Sequence, residues 1–414
     1  MGAVSPPRRG LVLLLAALTM LGPFTVDTIF PGFPSVQHDF AVDAVATQQI
    51  VSVYLLTFAV MGLVHGPLSD ALGRRPVVIG SLVLFAVTSA VCALAPTMTW
   101  LLVGRALQGV VAGGGMIVAR TVVRDVFSGD AAQRAMSQMS MIFGVAPAIA
   151  PIVGGWLLGW SSWRSIFWFL GGFAVMLLLA VLLVLPETHP AQRRTPLLPA
   201  ALAGALADAA KDAAVRRLLA VSSFNFAALF TYISAAPAII VEHLHLGPGD
   251  FGWLFVPVVT MMITGSWLTG VLAGRISGPR FLTLGFGVAV LGGLVQLGLD
   301  AAGLRTLPWV LVGPVTTGLG IALVFPIVTL VLLDQRPRVR GTLSSMQSFS
   351  NTMLNSVVAG ALVPLVSGSL MSLTAAALAF SVAGWLTWAG HHRISRPQVA
   401  APADPENYEP TDRL

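Results

Sequence analysis

The sequence predicts an all-α membrane protein: twelve transmembrane helices in two six-helix pseudo-repeats. Three observations lead there. Of 414 residues, 56% are apolar and 10% charged. A water-soluble domain is about a quarter charged, so this chain cannot cover an aqueous surface and most of it faces lipid. Apolar runs of spanning length, about 20 residues each, recur twelve times along it. The second half also repeats landmarks of the first. A mean hydropathy of +0.85 excludes a disordered chain, a fibrous repeat and an ordinary cytosolic enzyme. Twelve crossings leave no length for a soluble catalytic domain.

The runs are bounded by charges or by Pro and Gly and fall at 10–33, 47–69, 76–95, 99–122, 134–160, 164–185, 216–241, 249–272, 279–299, 307–333, 341–367 and 370–391; they are numbered here as spans 1 to 12. The pair Arg8-Arg9 before Leu11 to Met20 looks like a secretory or twin-arginine leader. That run, however, passes Phe24, holds Asp27 and enters Phe30-Pro31-Gly32 instead of a small-residue cleavage site, so it is expected to remain as an uncleaved first span. Gly2 followed by Ser5 and Pro6 is a poor myristoylation match. The longest connection, 186–215, starts proline-rich and then reads Ala200 to Lys211 as a short helix. It divides a six-helix bundle at 1–185 from another at 216–392, and the residues from 393 to 414, with Pro and mixed charge, are expected to be a disordered tail.

The formal charge is +6, from 23 Lys+Arg against 17 Asp+Glu. The basic residues stand singly or in pairs between apolar runs, which fits the positive-inside rule and gives no nucleic-acid surface. One set of alternating connections holds nearly all of them, with Arg164 and Arg305 on the other side, so both termini are expected in the cytoplasm. Cys92 is the single cysteine and lies inside an apolar run, which removes an intramolecular disulfide, a thiolate metal site and a CxxC pair. No metal and no cofactor are expected.

The repeat rests on position. Gly66-Pro-Leu-Ser-Asp70-Ala-Leu-Gly73-Arg74-Arg75 joins spans 2 and 3, and 204 residues later Gly270-Val-Leu-Ala-Gly274-Arg275-Ile-Ser-Gly278-Pro-Arg280 joins spans 8 and 9. Val103-Gly104-Arg105-Ala-Leu-Gln108-Gly109 in span 4 is echoed by Val312-Gly313-Pro314-Val-Thr-Thr317-Gly318 in span 10. A pair of parallel six-helix halves is a transporter architecture, with the substrate near the bilayer midplane between them.

Gly66 to Arg75 resembles the signature loop of the major facilitator superfamily. Its glycines, Gly66 and Gly73, permit a tight turn, and Asp70, Arg74 and Arg75 can pair at the rim. The resemblance implies that Asp70 caps the start of span 11, near Gly341-Thr342, in one conformational state. More of the chain is similar to one branch, the drug:proton antiporters of the bicyclomycin and chloramphenicol resistance (Bcr/CflA) group: Asp27-Thr-Ile-Phe-Pro31-Gly-Phe-Pro34 in span 1, Arg105-Ala-Leu-Gln108-Gly109 in span 4, Arg120-Thr-Val-Val-Arg124-Asp125 at its end, Gly144-Val-Ala-Pro147-Ala-Ile-Ala-Pro151-Ile-Val-Gly154-Gly155 in span 5 and Leu185-Pro-Glu187-Thr after span 6. The likeness is dense over 10–190 and thinner beyond, where Ser234-Ala-Ala-Pro237 is the clearest match.

Asp27 is the one carboxylate that the runs place well inside a span. A central Asp costs about 2.5–3.5 kcal/mol on insertion scales, so it should face a cavity or a partner. Reached by water from each side in turn, it could load and release a proton. Aligning Pro31 with Pro237 puts Ile233 opposite Asp27, so the acid belongs to one half. A carboxylate near the outer interface, in the turn before Pro31, is the alternative. Arg105 is the basic residue deep within a span, about 7 Å below Trp100, and needs acceptors such as carbonyls, Gln108 or water; snorkelling to the cytoplasmic side is the alternative. The resemblance implies proton coupling for Asp27 and Arg105, with cationic drugs also contacting Asp27.

Pro147 and Pro151, with Gly154 and Gly155 beside them, should bend or hinge span 5. The resemblance makes this an antiporter motif, with Ala150 where glycine is usual, and a merely kinked packing helix is the other reading. In span 11, Ser344, Gln347, Asn351 and Asn355 make one polar stripe that must face protein or water. Asn225 and Tyr232 on span 7, and Tyr54, Phe58, Met139 and Phe143 on spans 2 and 5, complete a pocket that is acidic at Asp27, amide-lined opposite and otherwise apolar. For each of these, ordinary helix packing is an equal reading. Some multidrug members carry a second carboxylate two turns before the first; Thr19 stands there, which favours neutral or singly charged compounds.

The expected function is a proton-coupled exporter of small amphiphilic compounds, antibiotics among them, in a bacterial inner membrane, working as a monomer. A metabolite or amino-acid exporter is the alternative. An intramembrane enzyme would need paired carboxylates, HExxH or GxSxG, none of which is present, and a channel would need a symmetric charged ring.

Overall fold

The computed structural model describes residues 9–127, 129–194, 198–272, 275–336 and 339–394. The expected disordered tail beyond residue 394, and Gly274 of the second repeat turn, lie outside them. Eleven described helices are long and apolar enough to cross a membrane, and the apolar stretch Gly144–Trp160 lies in a twelfth. Spans 1 to 6 are Arg9–Asp27 (continuing through the turn Phe30–Gly32 into Phe33–Phe40), Ala44–Gly62 with His65–Leu72, Arg74–Ala93, Met98–Val126, Gly129–Trp160 and Arg164–Val184. Spans 7 to 12 are Ala213–Ser234 with Ala238–His243, Gly252–Val271, Gly278–Ala301, Trp309–Leu311 with Val312–Gln335, Arg340–Val357 continuing to Val366, and Leu370–Ile394.

Local chemistry sets several of these starts. The Asp43 carboxylate accepts from Ala46 N at 2.8 Å and begins span 2, and Thr97 does the same for span 4 through Trp100 N, each satisfying an amide that the first helical turn leaves free. Span 5 stays helical through Pro147 and Pro151.

The pseudo-repeat is visible in the packing. In the first half, span 4 packs on spans 1, 2 and 3, span 1 on 5 and 6, and span 3 on 6; in the second half the same pairs recur with every number raised by six. The halves meet along spans 2 with 11 and 5 with 8, an arrangement that maps onto itself when they are exchanged. The outward surface is apolar: Leu183 and Leu365 are 85% and 83% exposed, which suits lipid and not water.

Inside the connection 186–215, Pro199–Lys211 forms the expected short helix. Arg216 donates to the last carbonyls of that helix, Ala210 and Lys211, and Arg336, at the end of span 10, bonds Asp208 at 2.7 Å and Asp212 at 3.4 Å. Asp212 also caps span 7 by accepting from Ala214 N and Val215 N. Partial burial pushes the Asp212 carboxyl up, but the two amides and Arg336 outweigh it and hold it below the ordinary carboxylate value. The side of the molecule bearing this connection is called the linker side below, and the opposite one the far side.

A depressed carboxyl contributes stability that is present above its unfolded pKa of about 3.9 and lost as pH falls through the lower folded value. Asp212→Ala should cost about 0.5–2 kcal/mol, and Asp212→Asn, itself a good cap, less. In thermal unfolding of the purified protein in detergent, the gap between wild type and Asp212→Asn should stay level from about pH 8 to 5 and close only below about pH 4.

Candidate functional site

Asp27 ends the first helix of span 1 and lies near the middle of the continuous stretch Gly10–Phe40. It is 5% exposed. Among the described residues no hydrogen bond or ion pair reaches its carboxylate, and Tyr54 of span 2 is the neighbour within its electrostatic reach. The break after it is held from behind: a Cβ on Gly154 of span 5 would lie 2.0 Å from the Thr28 carbonyl oxygen, so only glycine lets span 5 approach this turn. Gly155, the next residue, sits as closely against the Pro248 carbonyl in the connection between spans 7 and 8. Span 7 also ends its regular helix just before a proline, at Ser234 ahead of Pro237, with Ile233 where span 1 has Asp27.

Arg105 is fully buried and does not snorkel. Its Nε donates to the Ile50 carbonyl at 2.9 Å and its Nη1 to Gln108 Oε1 at 2.9 Å. Gln108 Nε2 in turn donates to Ser89 Oγ at 2.8 Å, and Ser89 to the Phe85 carbonyl. The guanidinium carbon stands 4.5 Å over the Tyr54 ring, which stacks on Phe58. Such a cation over an aromatic face is worth about 2 kcal/mol when desolvated. No carboxylate pairs with Arg105 among the described residues, and its Nη2 and the Tyr54 hydroxyl are buried without partners. Asp27, Tyr54 and Arg105 thus form one chain of neighbours inside the first half. Met139 is buried, and the side chain of Phe143 lies outside the described residues.

At the linker-side rim, Arg74 pairs with Asp70 on its own turn and with Asp125 at the end of span 4. Thr188 Oγ1 donates to the same Asp125. Glu187 caps span 3 by accepting from Arg74 N at 3.0 Å and Arg75 N at 3.3 Å, and Arg75 donates to the Leu182 carbonyl. Gly73 between them has φ +103° and no room for a side chain against Glu187 and Arg194, whereas a Cβ on Gly66 would meet open space. In this conformation Asp70 therefore serves its own loop, and span 11 begins at Arg340, which bonds Asp334.

The amide stripe of span 11 binds its neighbours. Gln347 Nε2 donates to Ser222 Oγ and Thr329 Oγ1, both at 2.9 Å, and Asn351 Oδ1 accepts from Ser223 Oγ. Among the described residues two amide atoms remain buried without partners: Nδ2 of Asn225 on span 7 and Oδ1 of Asn355 on span 11. Tyr232 points elsewhere, toward Gly313 and Gln296.

The model of one family matches residues 14–364, most of both halves, and that family is the Major Facilitator Superfamily. The chain belongs to it. Relatives within the superfamily include an uncharacterized MFS-type transporter, YdgK, of Bacillus subtilis, 32% identical over 70% of this chain and 73% of that one. A bicyclomycin resistance protein homolog of Haemophilus influenzae is 26% identical over 68% and 71%, and the multidrug resistance protein MdtL of Escherichia coli O157:H7 27% identical over 65% and 67%. These names agree with the Bcr/CflA resemblance. Among solved structures, the human organic anion transporter MFSD10 superposes with a TM-score of 0.69 at 20% identity over 94% of this chain and 100% of that one. A bacterial homolog of the human lysosomal transporter Spinster gives 0.67 at 17% over 93% and 97%. Both show the superfamily fold.

This superfamily member also holds a buried carboxylate that the hydropathy runs missed. Asp300, at the far end of span 9, is fully buried. It accepts from Gln296 Nε2 at 2.8 Å and from Thr374 Oγ1 of span 12 at 3.0 Å. Gln296 Oε1, oriented by that bond, takes the Gly313 amide at 2.9 Å and caps span 10. The run ended one residue short of Asp300; the Gln296/Asp300 spacing of four, one helical turn, was the available signal.

Arg105→Lys keeps the charge but cannot reach the Ile50 carbonyl and Gln108 together. It should cost about 1–3 kcal/mol through the acceptors left unpaired, read as a drop of several degrees in thermal midpoint, and should weaken transport at least tenfold in vesicles.

Proposed function

We propose that this multi-pass superfamily transporter is a proton-coupled efflux antiporter for drugs and antibiotics in a bacterial inner membrane, monomeric, with the linker side cytoplasmic. The observation that carries the reading is Asp27: a buried carboxylate near the middle of span 1, without a partner among the described residues and matched by Ile233 in the other half. Two names among its relatives, bicyclomycin resistance and multidrug resistance, supply the substrate class.

In this reading Asp27 and Arg105 couple the proton. When Asp27 is ionised it attracts a cationic or dipolar group of the cargo; when it is protonated that attraction is lost, so proton and cargo exclude one another. Tyr54, Phe58 and Met139 give the apolar wall and Asn225, Gln347 and Asn351 the polar one, while Tyr232, turned toward Gly313, is left out of it. The unpartnered atoms of Tyr54, Arg105 and Asn225 support this, because buried polar atoms without protein partners are normally met by water or ligand. Gly66, Asp70, Gly73, Arg74, Arg75 and Asp125 set the linker-side rim, and Pro147, Pro151, Gly154 and Gly155 let span 5 pack and shift against Thr28 and Pro248.

Asp27→Asn tests it. In inside-out vesicles with an acid lumen, chloramphenicol should release protons from the wild type, and the release should fall at least tenfold in Asp27→Asn. Resistance in a strain lacking its own pumps should fall in step, and unchanged resistance would remove Asp27 from the mechanism. Proton release by amino acids in place of drugs would mark a metabolite exporter.

A further inference from the structure

The hydrogen bonds that join the two halves, among the described residues, lie on the far side and involve one turn of span 2. Gln48 Nε2 donates to the Ser234 carbonyl at 2.9 Å, and the Ser234 hydroxyl donates back to Gln48 Oε1 at 3.2 Å. Gln49 Nε2 donates to the Gly360 carbonyl at 2.8 Å. Ser52 Oγ donates to the Ser356 carbonyl at 2.9 Å, and Ser356 Oγ returns a bond to the Ser52 carbonyl at 2.8 Å. No ion pair crosses between the halves among the described residues.

The acceptors are not arbitrary carbonyls. Ser234 ends the regular helix of span 7, where the last carbonyls lack intrahelical partners. Gly360 lies in the π-helical segment Val358–Leu362, which interrupts span 11 just after Ser356. A Cβ on Gly360 would fall 2.2 Å from Ser52 Oγ, so glycine is what lets the two spans meet. The same turn of span 2 is gripped from behind: the Ile50 carbonyl, between Gln49 and Ser52 in sequence, accepts from Arg105 Nε, and Tyr54, one turn on from Ile50, stacks under the guanidinium.

We propose that Gln48, Gln49 and Ser52 are gating residues: an uncharged latch that closes the far side, carried on the turn that Arg105 holds, so that a change at Arg105 reaches the latch through the Ile50 carbonyl. The latch holds by the number of neutral bonds made at once, and its donors and acceptors can turn to water when the halves part. An ion pair at this seam would instead leave charges to be solvated at every opening.

Two reporter cysteines in a Cys92→Ser background test this, labelled with a membrane-impermeant thiol reagent. Ala359→Cys is wholly buried in the closed seam and is probed from outside in intact cells; Ser344→Cys is exposed at the linker-side start of span 11 and is probed in inside-out vesicles. Gln48→Met with Gln49→Met should raise Ala359→Cys labelling at least tenfold and lower Ser344→Cys labelling, the opposed pattern of alternating access. Local loosening would raise the first and leave the second alone, and that outcome overturns the latch, as does no change at either reporter. Gln49→Met alone should give a smaller shift of the same pattern should the double variant not fold. Arg105→Met should also raise Ala359→Cys labelling; if only the glutamine variants do, the link to Arg105 is overturned. These readouts involve neither proton nor drug, so they stand or fall apart from the cargo proposed above.

Discussion

A guanidinium withdrawn from water has to find acceptors, and the position of Arg105 organises the first half around that requirement. Buried charge is tolerated only where the surroundings supply hydrogen bonds or a counter-charge. Among the described residues no counter-charge touches it, and the acceptors are a backbone carbonyl, one amide side chain and the face of Tyr54. Each acceptor is fixed in turn, Gln108 by Ser89 and Ser89 by the Phe85 carbonyl. The result ties spans 2, 3 and 4 at one level. It also brings Tyr54 between a fixed cation and a carboxylate without a partner, so that in the proposed cycle a change of charge on Asp27 acts on a network already under electrostatic tension.

The duplicated half solves the same packing problem without a cation. Gly104 lets Cys92 of span 3 approach span 4, and Gly313 lets Gln296 of span 9 approach span 10. Where Arg105 follows Gly104, Pro314 follows Gly313. The polar partner has moved to span 9, where Gln296 is held by Asp300 and caps span 10. One backbone plan therefore carries a buried cation in one half and a carboxylate–amide network around Asp300 in the other. Asp300 illustrates the difference: its oxygens are satisfied by Gln296 and Thr374, whereas among the described residues no hydrogen bond or ion pair reaches those of Asp27.

Hydropathy placed the spans well because lipid imposes a crude requirement that composition alone can meet. Asp27 and Arg105 stood out for the same reason, since a charge in an apolar run is expensive. What the sequence did not carry was the identity of their neighbours. The partner of Arg105 on span 2 is the Ile50 carbonyl, and a backbone acceptor has no residue signature. Spacing made Gln347 and Asn351 one polar face but could not say that this face meets Ser222, Ser223 and Thr329. Span 1 runs on past the expected limit of 33 to Phe40, because a helix end is set by backbone bonding and not by polarity. Glu187 was legible only as part of a motif; its capping of span 3 depends on how the chain returns after span 6.

Coupling through Asp27 alone also limits what the proposed cycle can move. The position two turns before Asp27 is Thr19, which is buried and spends its hydroxyl on the Ala16 carbonyl of its own helix, so no second carboxyl stands there. Exchange of one proton for a neutral compound carries one net charge inward and draws about 2.3 kcal/mol per 100 mV from the membrane potential. For a singly charged cation the charges cancel, and only the pH difference remains as drive. A doubly charged cation would leave one net positive charge moving outward, against the same field that assists the neutral case. In the proposed cycle the sign of that electrical work, set by Asp27 alone, would favour neutral or singly charged compounds.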